Sequence, residues 1–178
     1  MKALRVVSLL VLVAGIELWA QKGVAAMKLE SSAFPEGGTI PKVHSFSADN
    51  LSPPLSWTGV PPAAKAIALI CDDPDAPKPG GWVHWVVWDI PASHTSLALG
   101  LPQEAQLPDG SRQGLNDWRK VGWGGPQPPS GVHHYVFRIF ALDRLLGSGR
   151  TYTRDELLKA MQGHILAQGE LIGTFAAR

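Results

Sequence analysis

The chain has little of what marks several large classes of protein. It contains one cysteine, Cys71, so no disulfide can form within it. Basic and acidic residues nearly cancel, at a formal net charge of +1, and no Lys/Arg run is present, which argues against a nucleic-acid binder. There is no internal repeat and no low-complexity tract. With 178 residues, 45% of them hydrophobic and 17% charged, a single globular domain is expected.

The apolar run near the N-terminus is too short to span a bilayer. It covers residues 6–16, which are eleven residues, after a short basic segment and before small residues. We therefore predict that residues 1–26 are a signal peptide that is removed, with cleavage after Ala26 or, alternatively, after Ala20. The mature protein is then expected to be periplasmic or secreted, without a stable membrane span. A buried N-terminal helix, or translation from Met27, is the alternative interpretation.

One stretch combines two apolar runs with a polar turn. Residues 67–71 are an apolar run of strand length, and Trp82 to Pro91 is rich in Val, Ile and Trp, so both predict strands. Three carboxylates lie between them, interleaved with prolines that cannot continue a sheet ladder: Asp72, Asp73 and Asp75. The sequence thus predicts carboxylates at the exit of one strand, facing His84 near the start of the next.

Side chains alternate between the two faces of the strand predicted over Trp82 to Pro91, and this alternation predicts the neighbours of His84. A period of two places Trp82, His84, Val86 and Trp88 on one face, and the other face is apolar as well. A strand buried on both sides is expected, which makes His84 an imidazole in a mostly dry setting. By itself it would be interpreted as a hydrogen-bonded structural residue. The neighbouring carboxylates favour a functional role.

A second polar stretch joins a loop to a strand. The loop, residues 122–131, is rich in Gly and Pro and would either present backbone N–H groups to an anion or act only as a rigid connection. In the following strand, His133 and Tyr135 share one face, which we expect to be the core side. His134 shares the wetter face with Arg138 and is predicted to be a solvated bystander.

Short strands and turns account for most of the remaining chain. Thr153 and Glu156 form a capping box that predicts a helix over residues 153–162. The other expected elements are a strand over residues 27–34, a fixed irregular loop over residues 47–62 anchored by Leu55 and Trp57, an irregular region over residues 94–114 with a weak strand at 97–101, and a last strand over residues 164–175. The sum is a mostly β domain with a few short helices.

Two blocks of this sequence resemble a known family. D-P-D-A-P followed by W-V-H-W-V-V-W-D-I-P, and then G-W-G-G-P-Q-P-P-S-G-V-H-H-Y-V-F, are similar to the two signature blocks of the phosphatidylethanolamine-binding protein (PEBP) family. The upstream L-S-P-P-L-S-W-T-G-V-P resembles its bacterial, Raf kinase inhibitor-like branch. The similarity covers nearly everything after the leader. It implies a PEBP-like β-sandwich over residues 27–178, with a small anion-binding pocket at one end.

The resemblance also implies a function and a set of site residues. The matching pocket positions are Asp73, Asp75, His84, Gly125, Pro126, His133 and Tyr135. His134 departs from the family, which commonly has Arg there, but its outward direction leaves the pocket intact. The expected function is non-enzymatic binding of a phosphate-bearing or other anionic small ligand, with no metal and no cofactor. Regulation of a partner protein is implied too, as is a homodimer. Separately, exposed aromatics among Trp118 and Trp123 are candidates for its interface.

The residue types suggest a mechanism and leave alternatives open. Two imidazoles and a phenol would donate hydrogen bonds to a phosphate, and the carboxylates would orient the histidines in their cationic form or bind an ammonium group of the ligand. One alternative is an inhibitor of kinases or proteases that acts through its surface. Another is a metal-dependent hydrolase with His84, His133 and Asp73 or Asp75 as ligands. A Ser-His-Asp hydrolase is disfavoured because no G-x-S-x-G motif is present.

Overall fold

The computed structural model describes residues 24–177, so most of the signal peptide predicted over residues 1–26 lies outside the described residues. In chain order the elements are β1 (Ala25–Ala26), β2 (Lys28–Glu30), a 3-10 turn (Lys42–His44), β3 (Leu55–Thr58), β4 (Ala66–Asp73), β5 (Trp82–Pro91), β6 (Ser96–Leu97), β7 (Arg112–Gln113), β8 (Val132–Leu142), α1 (Arg154–Met161) and β9 (Ile165–Ala176).

The strands form two sheets. The large sheet has the order β1-β9-β8-β4-β5-β7, and the small one has the order β2-β3-β6. β1 pairs with β9 in parallel, and the other neighbouring strands are antiparallel. The small sheet packs on one face of the large one, so the predicted β-sandwich with little helix is confirmed. No helix among residues 24–177 has the length and apolar composition needed to cross a membrane.

Apolar layers cover both faces of the large sheet. Between the sheets, Leu55 and Trp57 of β3 pack in one cluster with Leu69 of β4 and with residues of β5 and β8. On the opposite face, Leu157 and Met161 of α1 belong to a second cluster with the other side chains of β4 and β5. Every residue of β4 and all but the two end residues of β5 are buried. This confirms the prediction that β5 is covered on both sides.

The helix begins where its capping signal predicts. Thr153 is the N-cap, its side chain accepts from the backbone N–H of Glu156, and the Glu156 carboxylate accepts from the backbone N–H of Thr153. Gly163 follows the helix with a φ of 77°, a left-handed conformation that glycine adopts without steric cost. α1 therefore leads directly into β9, the strand that closes the large sheet.

The short strands differ from the predictions. The strand expected over residues 27–34 is only Lys28–Glu30, and the one expected over residues 97–101 is Ser96–Leu97. Residues 55–58 are a strand and not part of an irregular loop, although Leu55 and Trp57 do point inward as expected. The two-residue strands β1 and β7 were not predicted. Such short edge strands are defined by their pairing partners and leave almost no period in the sequence.

Candidate functional site

A cavity of about 280 Å³ opens at the end of the large sheet, where β4 ends and β5 begins. Its walls come from the last residue of β4, the first residues of β5, and the segments that connect β4 to β5 and β7 to β8. The main lining side chains are those of Asp73, Lys78, Trp82, His84, Trp118 and Gln127. The polar residues between the two apolar runs and the glycine-proline loop therefore meet at one place, as the sequence predicts.

A β-bulge directs His84 towards this cavity. Cys71 pairs with Trp85 and Asp72 pairs with Val83, so β5 carries one extra residue, His84, opposite a single step of β4. A bulge re-aims a side chain out of the normal alternation. His84 consequently packs against Trp118, Trp123 and Tyr135, and not with Val86 and Trp88 in the core under α1. The face predicted for His84 from strict alternation was wrong for this reason.

The ring of His84 is held in one orientation and kept neutral. Its Nδ1 donates to the backbone carbonyl of Gly124 at 2.5 Å, and the backbone N–H of Gly124 donates to the His84 carbonyl at 2.9 Å. Burial, only partly offset by the Gly124 carbonyl, lowers the pKa of His84 to about 4. The ring is thus neutral near pH 7 and cannot act there as the imidazolium donor that the sequence suggested. Its Nε2 then offers a lone pair, and the ring lies in the wall of the cavity.

Asp73 and His133 form a buried pair at the base of the same region. Nδ1 of His133 lies 2.6 Å from Oδ2 of Asp73, and the backbone N–H of Asp75 donates to Oδ1 of Asp73 at 2.9 Å. Both side chains are more than nine-tenths buried. Each oxygen of the Asp73 carboxylate therefore has a partner, and the carboxylate fixes the orientation of His133.

Tyr135 brings a hydroxyl with no partner to this place. Its side chain is fully buried, and its ring meets the ring of His84 edge to face with the centroids 5.0 Å apart. Burial and the nearby charge of Asp73 raise the pKa of the Tyr135 hydroxyl far above its ordinary value, so it is a neutral donor. The backbone N–H of Gln127 approaches the hydroxyl and opposes part of this shift, but among residues 24–177 no hydrogen bond of normal geometry is formed. A buried hydroxyl without a partner is unfavourable unless a ligand or water satisfies it.

Asp72 and Asp75 point away from the cavity. Asp72 bonds to Nη1 of Arg138 at 2.8 Å and of Arg154 at 3.3 Å. Asp75 is exposed, and its Oδ2 lies 2.7 Å from Nδ1 of His134 and accepts from the His134 backbone N–H at 2.8 Å. Desolvation opposes the shift, but these bonds lower the pKa of Asp75. His134 is therefore exposed as predicted, yet it is a partner of Asp75 and not a bystander.

Comparison with known proteins places this geometry in a family. Residues 30–176 match the sequence profile described as phosphatidylethanolamine-binding protein. The chain belongs to the PEBP family. A UPF0098 protein from Methanothermobacter thermautotrophicus is 48% identical over 149 residues, which cover 84% of this chain and 98% of that protein.

Two solved structures share the PEBP fold with this chain. A PEBP homologue from Chlamydia trachomatis, CT736, superposes with a TM-score of 0.78 at 40% identity, covering 86% of this chain and 99% of that one. E. coli YbcL, described as a member of the mammalian PEBP family, gives a TM-score of 0.79 at 32% identity and covers 86% of this chain and 100% of that one.

Gly125 and Pro126, two of the matching PEBP positions, lie behind the cavity wall. A Cβ at Gly125 would collide with the backbone carbonyl of His44, and the Gly125 N–H donates to Oδ1 of Asn50 at 2.8 Å. The Pro126 carbonyl accepts from the Phe46 N–H at 3.1 Å. These residues pack the loop closely against the chain around residue 45. Gln127, the next residue of the loop, is the one that reaches the cavity.

The two tryptophans proposed for a PEBP homodimer interface are differently placed. Trp123 is 2% exposed, and its Nε1 donates to the carbonyl of His44, so it belongs to the core and its predicted exposure was wrong. Trp118 is half-buried, stacks on Phe46 with centroids 4.7 Å apart, and lines the cavity.

The predicted site lacked the other polar and aromatic side chains of the PEBP cavity, which are Lys78, Trp82, Trp118 and Gln127. Trp82 lies two residues before His84, and its Nε1 is buried without a hydrogen-bond partner among the described residues. Lys78 lies over the Trp82 ring, with Nζ 5.3 Å from the centroid, and pairs with Asp117 at 2.5 Å. Trp82 and Gln127 lie within the two signature blocks, which was the available signal for them, whereas Lys78 and Trp118 lie outside the blocks. Within residues 24–177, no three His, Cys, Asp or Glu side chains gather as a metal site would require.

Proposed function

We propose that the protein is a non-enzymatic binder of a small phosphate-bearing or similarly anionic ligand, held in the cavity beside His84 and Tyr135. The observation that carries this proposal is the hydroxyl of Tyr135, which is buried without a partner on a ring that packs against His84, a residue of the cavity wall. A second unsatisfied donor, Nε1 of Trp82, lies in the cavity wall. Donors that are buried and unpaired in the free protein gain a full hydrogen bond when an oxyanion enters.

The charges around the cavity are compatible with an anion. Asp73 is the carboxylate in the wall, and both its oxygens already have partners. Lys78 contributes an ammonium group at the wall, which it shares with Asp117. The side of the cavity formed by Trp82 and Trp118 is aromatic, and exclusion of water there strengthens each polar contact with the ligand.

The size of the cavity and the hydrogen bonds of its two neighbouring histidines support binding in preference to catalysis. A cavity of about 280 Å³ is at the small end of the range for ligand pockets, which suits a headgroup or a free oxyanion. In the described part of the chain, His84 bonds to a backbone carbonyl and His133 to a carboxylate, and neither is bonded to a hydroxyl or thiol nucleophile. Regulation of a partner protein and a homodimer, which the family resemblance implies, stay predictions.

Titration with inorganic phosphate tests the proposal. Isothermal titration calorimetry should show saturable binding to the wild type, and Tyr135→Phe should weaken it by about 10- to 100-fold, the loss expected for a hydrogen bond to a charged group. Tyr152→Phe is the matched control, because Tyr152 packs against Trp88 on the other side of the large sheet. No binding to the folded wild type, or equal weakening by both variants, would contradict the proposal.

We also propose that the protein is exported. Protein recovered from the native cell envelope should then begin at Met27 or Gln21. Ala25 and Ala26 form β1, so cleavage after Ala20 keeps this strand and cleavage after Ala26 removes it. Intact-mass measurement distinguishes the two ends, and full-length protein in the cytoplasm would overturn the export proposal.

A further inference from the structure

The cavity presents hydrogen-bond acceptors as well as donors. The bond from Nδ1 of His84 to the Gly124 carbonyl fixes the tautomer, because that nitrogen must carry the proton. Nε2 is then the unprotonated nitrogen of a buried ring. His84 lines the cavity, and the Asp73 carboxylate lies in the same wall. The Gly125 carbonyl is the other backbone oxygen near the ring, and an oxygen acceptor cannot donate a proton to Nε2. A ligand that offers only lone pairs would leave Nε2 unsatisfied.

Charged and titratable groups approach His84 from every side of the cavity. Asp73 comes from the end of β4, and His133 and Tyr135 come from β8. Asp117 and Lys78 come from the loops on either side of the start of β5 and bond to each other. Asp117 favours a proton on His84 and His133 opposes it, but desolvation of the ring outweighs both. Nε2 therefore remains an acceptor over the whole neutral range.

We propose that the cavity selects oxyanions that still carry a proton, with the acidic hydroxyl of the ligand donating to Nε2 of His84 and its other oxygens accepting from Tyr135 and Trp82. This inference rests on the proposed function and defines its ligand class more narrowly. Protonated phosphate and the monoanion of a phosphomonoester belong to this class. Sulfate and the phosphomonoester dianion have the same shape but no proton, so each would place a lone pair against the lone pair of Nε2.

The selection can be tested with three probes of similar size. Inorganic phosphate keeps at least one proton between about pH 5 and pH 8, sulfate keeps none, and methyl phosphate loses its last proton near the usual second pKa of about 6. The wild-type protein should bind phosphate at both pH values. Sulfate should bind about 100-fold more weakly at both, the upper range for a lost hydrogen bond to a charged group. Methyl phosphate should bind about 10-fold or more weakly at pH 8 than at pH 5.

A His84→Gln variant tests the named acceptor. The glutamine amide can turn either its oxygen or its NH2 group towards the ligand, so the preference for phosphate over sulfate should fall to within about 10-fold. His134→Gln, at the exposed surface, should keep the wild-type preference. If His84→Gln does not fold, the three probes on the wild type still decide the question.

The outcomes separate this inference from the proposed function. Sulfate binding within about threefold of phosphate, or methyl phosphate affinity that is constant or rises from pH 5 to pH 8, would overturn proton selection and leave anion binding intact. Failure of the folded protein to bind any of the three probes would overturn both. If His134→Gln lost the preference for phosphate over sulfate, the selection would depend on His134 and not on His84. That result would also overturn the inference.

Discussion

His133 Nδ1 lies 2.6 Å from Asp73 Oδ2, and this contact joins the last residue of β4 to the second residue of β8 inside the protein. The two residues are far apart in the sequence and are not opposite each other in the β4–β8 ladder. Their bond holds together the ends of two central strands at the point where the cavity opens. It therefore contributes both to stability and to the geometry of the site.

Replacing Asp73 with Asn tests the strength of this bond. The substitution keeps the shape but removes the charge, so we expect the free energy of unfolding to fall by about 1.5 to 3 kcal/mol, the range for a hydrogen bond to a charged group. Asp75→Asn is the control, since its pair with His134 is exposed and should contribute no more than about 1 kcal/mol. Urea denaturation near pH 7 measures both. An equal decrease in the free energy of unfolding in the two variants would show that the buried pair stabilises the fold no more than the exposed pair does.

The neutral state of His84 predicts how stability depends on pH. Its pKa in the folded protein is about 4, below the value of about 6.5 in an unfolded chain, so the unfolded state binds a proton first as the pH falls. The free energy of unfolding should therefore be highest above pH 6.5 and decrease by up to about 3 kcal/mol between pH 6.5 and pH 4.

Chemical denaturation at several pH values measures this slope. His84→Gln has no titrating ring, and it should lose most of the slope in this window. His134→Gln should keep it, because the exposed His134 is not the source of the effect. A wild-type stability that is flat down to pH 4 would mean that His84 is protonated more easily than its burial indicates.

The parts of the fold predicted correctly are those with long local signals. β5 was predicted with its observed bounds because seven of its ten residues are Val, Ile or Trp, and α1 was located by its capping box. The bulge at His84 was missed because it depends on the register with β4, which no period within β5 reveals. The bonds of Asp75 to His134 join residues 59 positions apart and arise only from tertiary structure.

Electrostatic predictions failed for a related reason. The sequence shows that His84 lies between apolar residues, but not whether its partner is a carboxylate or a carbonyl. In the structure Nδ1 bonds to the Gly124 carbonyl, while the carboxylate of Asp73 bonds to His133. The balance between burial and a charged partner decides the protonation state of a histidine, and only the folded arrangement supplies both terms.

Gly125 should be required for the packing of the loop. A methyl group there would collide with the backbone carbonyl of His44, which cannot turn aside as a side chain would. We expect Gly125→Ala to lower the free energy of unfolding by about 1 to 3 kcal/mol, as for an overpacked core. Gly149→Ala is the control, since a Cβ at Gly149 meets nothing within 4 Å. Equal stability of Gly125→Ala and the control would contradict the close approach of the two segments.

The last prediction concerns whether the carboxylates recognise an ammonium group on the ligand. Asp75 lies outside the cavity and is bonded to His134, and both oxygens of Asp73 are occupied by His133 and a backbone N–H. Asp75 therefore does not face the ligand, and each oxygen of Asp73 already accepts a hydrogen bond. Phosphoethanolamine should therefore bind no more tightly than methyl phosphate at about pH 5, where both phosphate groups still carry a proton.

Calorimetric competition between the two ligands measures this difference directly. Asp75→Asn should leave the ratio of the two affinities unchanged, because the carboxylate it removes does not line the cavity. The opposite result would be that phosphoethanolamine binds about tenfold or more tightly than methyl phosphate, and that only Asp73→Asn abolishes this difference in affinity. Asp73 would then exchange its bond to His133 for one to the ligand, and its role would change from orienting a histidine to binding a cation.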